Sequence, residues 1–208
     1  MTAIFRTAAG VLGWATLLLQ YVLVVSKPDG PDLFARTVNF FSFFTILTNI
    51  LVALALTLPA LIPHSAPGQF FARPSVRTAI TCYIAIVMAV VYFILRHIQD
   101  LEGLNLLCDI ILHYVMPALF IIDWLCFVPK GTLRFSDTPK WLIYPVVYLG
   151  WTFIHGAYSG FYPYPFLNAD ELGVARVLQF EAILLAIFLA LGLILVTGGR
   201  WLDRHFRT

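Results

Sequence analysis

The chain of 208 residues is 61% hydrophobic and 12% charged, with a net charge of +2 and a mean hydropathy of +0.88. That composition excludes an ordinary soluble domain and points to a polytopic helical membrane protein. The basic residues sit between apolar runs, as loop charge rather than a nucleic-acid patch, so no nucleic-acid partner is expected.

Six apolar runs follow one another, at residues 3–25, 37–61, 76–95, 104–128, 141–158 and 173–197. Each is near the ~20 residues that cross a bilayer as a helix. The first is read as a retained helix, because no small-residue cleavage site follows it. Lys27-Pro28-Asp29-Gly30-Pro31 makes the first turn, and Pro59 and Pro63 close the second run. Arg96 and His97 end the third. The loop PKGTLRFSDTPK leads to the fifth, the turn Phe161-Tyr-Pro-Tyr-Pro-Phe166 follows, and a basic tail ends the chain. The aromatic turn is read as an interfacial belt that also shapes a lid. The predicted architecture is all-α, a single domain over 1–208 with six transmembrane helices. Cys82, Cys108 and Cys126 lie in apolar runs without a C-x-x-C pair and support neither a disulfide framework nor a cysteine zinc site.

Lys/Arg bias sets the orientation. Arg6, Arg73, Arg77, Lys130, Arg134, Lys140, Arg200, Arg204 and Arg207 fall on one side, and Lys27, Arg36, Arg96 and Arg176 on the other. Both termini are therefore expected in the cytoplasm.

The fourth run carries Asn105, Asp109, His113 and Asp123. At ~100° per residue these share about 80° of helix circumference, and ionisable groups at membrane depth normally face the bundle interior. Pro117 lacks an N–H, so the His113 carbonyl loses its α-helical partner and a kink is expected there. On the second run Ser42, Thr45, Thr48 and Asn49 span about 120°. Such residues also help helices pack in membranes, so depth is the sharper signal. Thr45 and His113 each lie nine residues, ~13 Å, in from the outer ends of their runs. Tyr144, Tyr148, Trp151, His155 and Tyr158 form a stripe on the fifth run, Glu181 lies on the sixth, and Arg96 and His97 cap the third. A polar pocket in the outer half of the bundle is the simplest arrangement. Its lining is expected to draw on Asn49, Thr48, Arg96, Asp109, His155, Tyr158 and Glu181. The bland reading of Arg96 is a solvated cap, that of His155 a structural hydrogen bond, and that of Glu181 an ion pair with Arg96 or Arg176.

The run Phe43-Phe44-Thr45-Ile46-Leu47-Thr48-Asn49, then His113-Tyr-Val-Met-Pro117 with Asp123-Trp124, then Tyr164-Pro165-Phe166, resembles the bacterial Pr6Pr membrane proteins. These are related to the eukaryotic androgen-induced-gene-1 / androgen-dependent TFPI-regulating protein family. Members of that family are six-helix integral membrane hydrolases that cleave fatty acid esters of hydroxy fatty acids with an intramembrane threonine and histidine. The resemblance puts the nucleophile on Thr45, the histidine on His113 and the acidic residue ten positions on at Asp123. It implies a lipid or fatty-acid ester substrate, no cofactor and no metal, and a bacterial inner membrane. Two departures from the eukaryotic pattern are the proline, one position nearer the histidine, and His155, displaced by one relative to the Y-P-F turn.

The chemistry is coherent apart from the resemblance. A threonine hydroxyl is a weak nucleophile and needs a base, and a neutral imidazole at the same depth serves. Asn49, Tyr158 and Arg96 are the candidate oxyanion donors. Two other classes stay open. One is a zinc hydrolase using His97, His113 and His155 with Asp109 or Glu181, although no H-E-x-x-H motif is present. The other is a non-catalytic transporter or binder of a small amphipathic ligand.

Overall fold

A computed structural model describes residues 2–27, 30–97 and 100–206. Pro28 and Asp29 of the predicted first turn and Arg207 of the tail lie outside the described residues. Among the described residues the chain is all-helical, without strands. Helix α1 spans Thr2–Val25, α2 Leu33–Phe41, α3 Phe44–Leu61, α4 Ala66–Ala72 and α5 Pro74–Phe93. Then come α6 (Gly103–Ile110), a π-helical segment (Ile111–Val115) and α7 (Met116–Phe127) in one continuous rod. The short α8 (Thr138–Trp141) precedes α9 (Ile143–Ser159), and α10 (Ala169–Leu172) precedes the long α11 (Val174–Phe206).

Among the described residues five helices are long and apolar enough to cross a membrane: Thr2–Val25, Phe44–Leu61, Pro74–His97, Gly103–Phe127 and Val174–His205. The fifth predicted run forms α9, which at 17 residues is shorter than these. The second run, read as one helix over 37–61, is two. Helix α2 ends at Phe41, Phe43 takes an extended conformation (φ −81°, ψ 125°), and α3 starts at Phe44. Pro59 lies inside α3 instead of closing it.

Helix α5 is the hub, packed against α3, α4, α7 and α11. In its most apolar stretch 61% of the residues are buried, against 22% for α11. With no apolar driving force between helices in lipid, close backbone approach at small residues holds such a bundle. The α1–α3 contact shows it: a Cβ added at Gly10 would stand 2.5 Å from Thr57 Cγ2. The remaining core is aromatic and aliphatic, built on Phe44, Phe120, Tyr83, Trp124, Tyr148 and Phe188.

At one end of the bundle Asp123 is buried and pairs with Arg6 (2.6 Å) and with Arg77. Arg77 is itself buried in α5, donates to the Ala55 carbonyl at 2.6 Å and lies over the Phe120 ring. It is thus a core residue and not a loop charge. Lys130 is buried too, its Nζ donating to the carbonyls of Leu125 and Val128 at 2.9 Å. Charged groups in this setting survive only when paired and hydrogen-bonded.

Candidate functional site

The break between α2 and α3 puts the start of a helix inside the bundle. Helix α9 braces the break. Tyr148 Oη donates to the Ser42 carbonyl at 3.0 Å, Trp151 Nε1 donates to Ser42 Oγ at 3.0 Å, and Ser42 Oγ donates to the Val38 carbonyl at 2.8 Å. The first-turn N–H groups of a helix have no intrahelical acceptor, and Phe43 offers no side-chain cap. Thr45 stands in that first turn and is buried. Its N–H donates to Tyr164 Oη at 3.2 Å, and its Oγ1 lies 3.2 Å from the same phenol oxygen. Tyr164 comes from the aromatic turn after α9, which folds inward: Tyr164 is buried and meets Phe43 edge-to-face.

His113 sits in the π-helical segment. There the Met116 N–H reaches the Ile111 carbonyl, five residues back. In that register the carbonyl facing Pro117 is Leu112's and not, as an α-helical count has it, that of His113. The orphan is satisfied from α3: Asn49 Nδ2 donates to Leu112 O at 3.1 Å and to Thr45 O at 3.0 Å. Asn49 is fully buried, and its Oδ1 has no partner. One amide therefore ties the turn after Thr45 to the residue before His113. The imidazole Nδ1 is held by Asp109, 2.7 Å from Oδ1 and 3.0 Å from the carbonyl. With Nδ1–H donated there, Nε2 is the acceptor nitrogen.

Thr45 and His113 line one cavity of about 320 Å³, together with Tyr164, Asp109, Asn105 and Lys27. Thr45 and Tyr164 also line a second, smaller cavity of about 50 Å³ on the side of α9 and α11, where Glu181 stands among apolar residues. The two side chains thus form part of the wall between the cavities.

The other expected residues are spread more widely. Thr48 is buried and bonds Tyr144 Oη at 3.1 Å, lining neither cavity. Arg96 is exposed, its guanidinium 4.0 Å from the Tyr92 ring centre and its Nε donating to His97. His155 lies outside both cavities, 2.9 Å from Asn39 Oδ1 and stacked on Trp151. Tyr158 is 91% exposed. So Arg96 and Tyr158 offer no oxyanion contact, and Asn49 spends its N–H groups on two carbonyls. Tyr164 and the first-turn N–H of Thr45 are the donors the structure brings beside the Thr45 hydroxyl. In the sequence Tyr164 belonged to the aromatic turn and to the Tyr164-Pro165-Phe166 motif, with no role in the site assigned to it. His97, His113 and His155 do not converge, and no group of three or more His, Cys, Asp or Glu side chains among the described residues is placed to hold a metal ion.

No family model matches the chain, and no curated protein or solved structure is significantly similar to it.

Proposed function

We propose that the protein is an intramembrane lipid-ester hydrolase with Thr45 as nucleophile and His113 as general base. The observation that carries the reading is that both line the same cavity, with Asp109 holding His113 Nδ1 so that Nε2 is left to accept a proton. In this scheme Nε2 takes the Thr45 hydroxyl proton as Oγ1 attacks the ester carbonyl. The tetrahedral oxyanion meets the Thr45 N–H and the Tyr164 hydroxyl, each of which gives up its mutual bond to do so. His113 returns the proton to the leaving alkoxide, and the same nitrogen then activates water to release the acid from Thr45. The positioned base contributes about 10²–10⁴ in rate, and each oxyanion donor about 10²–10³.

The substrate is an ester with a long apolar chain, such as a fatty acid ester of a hydroxy fatty acid. The larger cavity, with apolar walls at Phe40, Phe43 and Leu112 and a polar end at Asp109 and Asn105, suits a chain entering from lipid and a carbonyl stopping at Thr45. The chain crosses a bacterial inner membrane six times with both termini in the cytoplasm. The sixth crossing uses 138–159, where α8 runs almost directly into α9. Those 22 residues reach ~33 Å, which matches a ~30 Å core.

Fluorophosphonate labelling of the purified protein, followed by peptide mapping, tests the assignment. The label is expected on Thr45, lost in His113→Ala, and accompanied by turnover of a long-chain ester that Thr45→Ala abolishes. Full hydrolysis by folded Thr45→Ala removes the mechanism. Absence of labelling and turnover, with substrate-dependent flux in vesicles, would assign the protein to the binder or transporter class.

A further inference from the structure

Glu181 is the unexplained group in the fold. It lies on the inward face of α11 with Val177 and Phe188, and only 6% of it is exposed. Neither expected partner reaches it: Arg96 is engaged with Tyr92 and His97, and the ion pairs among the described residues do not include Arg176 or Glu181. An ionisable side chain at this depth, facing the interior without a partner, marks a ligand or ion site by default. Glu181 lines the smaller cavity together with Phe44, Tyr148, Tyr164, Phe166 and Phe188. Phe44 meets Tyr148 and Phe188 edge-to-face at 4.9 and 6.0 Å, and Tyr164 stacks on Phe166 at 5.3 Å, so two aromatic groups wall the cavity.

We propose that this smaller cavity is an alkylammonium site, with Glu181 as counter-ion and the aromatic groups as its cage. Ring quadrupoles attract an organic cation, and desolvation strengthens the attraction. One carboxylate supplies the charge that the rings alone do not. An inorganic cation fits poorly, because it needs several oxygen ligands and the cavity offers one carboxylate among largely apolar walls. The enclosed volume of about 50 Å³ excludes a full acyl chain and leaves room for no more than the compact head of such a cation. Since Thr45 and Tyr164 separate the two cavities, the cation would sit across that wall from the ester site. The inference does not depend on hydrolysis, and its test reads binding alone, with no ester present.

Purified wild-type protein in a non-ionic detergent is titrated by calorimetry with choline and with 3,3-dimethyl-1-butanol, its uncharged isostere. Choline is expected to bind at least tenfold more tightly than the isostere. Glu181→Gln, which keeps the shape and removes the charge, should abolish that preference. Phosphocholine competing as well as choline assigns the site to a lipid head group, and choline alone competing assigns it to a free amine. Equal binding of cation and isostere, binding of neither, or an undiminished preference in Glu181→Gln overturns the proposal.

Discussion

Asn49 donates to the carbonyl of Leu112 across the α3–π-segment contact at 3.1 Å, and Leu112 is the residue whose carbonyl faces Pro117 in the π register. The proline creates an orphan acceptor and the asparagine fills it, so the shape of the turn carrying His113 is set by a residue four positions after Thr45. Asn49→Leu keeps the volume and removes the donor. The Thr45 carbonyl retains its helical N–H, whereas the Leu112 carbonyl is left buried and unpaired. The expected destabilisation is about 1–3 kcal/mol, read as a lower thermal midpoint in detergent, together with a fall in ester turnover. An unchanged midpoint would mean that water replaces the amide.

Tyr164→Phe separates the phenol from its ring. The packing against Phe43 and Phe166 stays, and the bonds to Thr45 N and Oγ1 go. If the phenol meets the oxyanion, kcat drops by about 10²–10³ with KM little changed. A drop confined to KM would assign Tyr164 to substrate binding instead.

Asp109→Ala removes the carboxylate from His113 Nδ1 and leaves only the backbone carbonyl, 3.0 Å away, to hold the ring. The acceptor nitrogen is less firmly aligned, and part of the about 10²–10⁴ a positioned base supplies is lost. Stopped assays on folded protein should show kcat reduced while fluorophosphonate labelling slows in proportion. Labelling at the wild-type rate would mean that Asp109 has no part in orienting the base.

The apolar runs were readable because a bilayer demands continuous hydrophobicity, and they return as long apolar helices, whereas the polar stripe of the fourth run divides, Asp109 and His113 lining a cavity and Asp123 pairing with arginines elsewhere. The break at Ser42 was not readable. The string Phe40-Phe41-Ser42-Phe43-Phe44 holds neither proline nor glycine, and what satisfies the broken turn is Tyr148 and Trp151, more than a hundred residues away. Pro117 announced an orphan carbonyl, but the slip into π register that moved it from His113 to Leu112 depends on Asn49, again a tertiary partner. Arg77 and Lys130 read as loop charges because their buried acceptors come from other segments or from nearby carbonyls. In each case local chemistry gave the need, and only the fold could say which residue met it.

Gly156 is where α9 admits the aromatic turn. A Cβ there would stand 2.2 Å from Tyr162 Cε1, a clash the ring can relieve only by moving. Tyr162 is two residues from Tyr164 and is tethered to Asp170 Oδ1 at 3.3 Å. Gly156→Ala should therefore displace the turn and lengthen the Tyr164–Thr45 contact. The expected result is lower turnover with a small change in thermal midpoint, and Gly150→Ala, with open space around it, serves as the neutral control. Equal activity of the two variants would show that the turn is free to shift without consequence.

Asp123 carries two competing roles, and its variants separate them. The resemblance aligns an acidic residue ten positions after the histidine, whereas the structure seals Asp123 of α7 between Arg6 and Arg77, outside the lining of both cavities. Asp123→Asn leaves the Arg77 guanidinium buried without a counter-charge, and breaking a buried pair from one side costs about 3–5 kcal/mol. Arg6 is partly exposed and can turn its head to solvent, so the strain falls on Arg77. The double variant Asp123→Leu/Arg77→Met replaces the pair with apolar groups and should recover most of the loss, since such replacements are often neutral or stabilising. The thermal midpoint should thus fall steeply in the single variant and return in the double one, while turnover per folded molecule stays at the wild-type level in the double variant. A double variant that folds well but hydrolyses nothing would move Asp123 from the scaffold to the reaction.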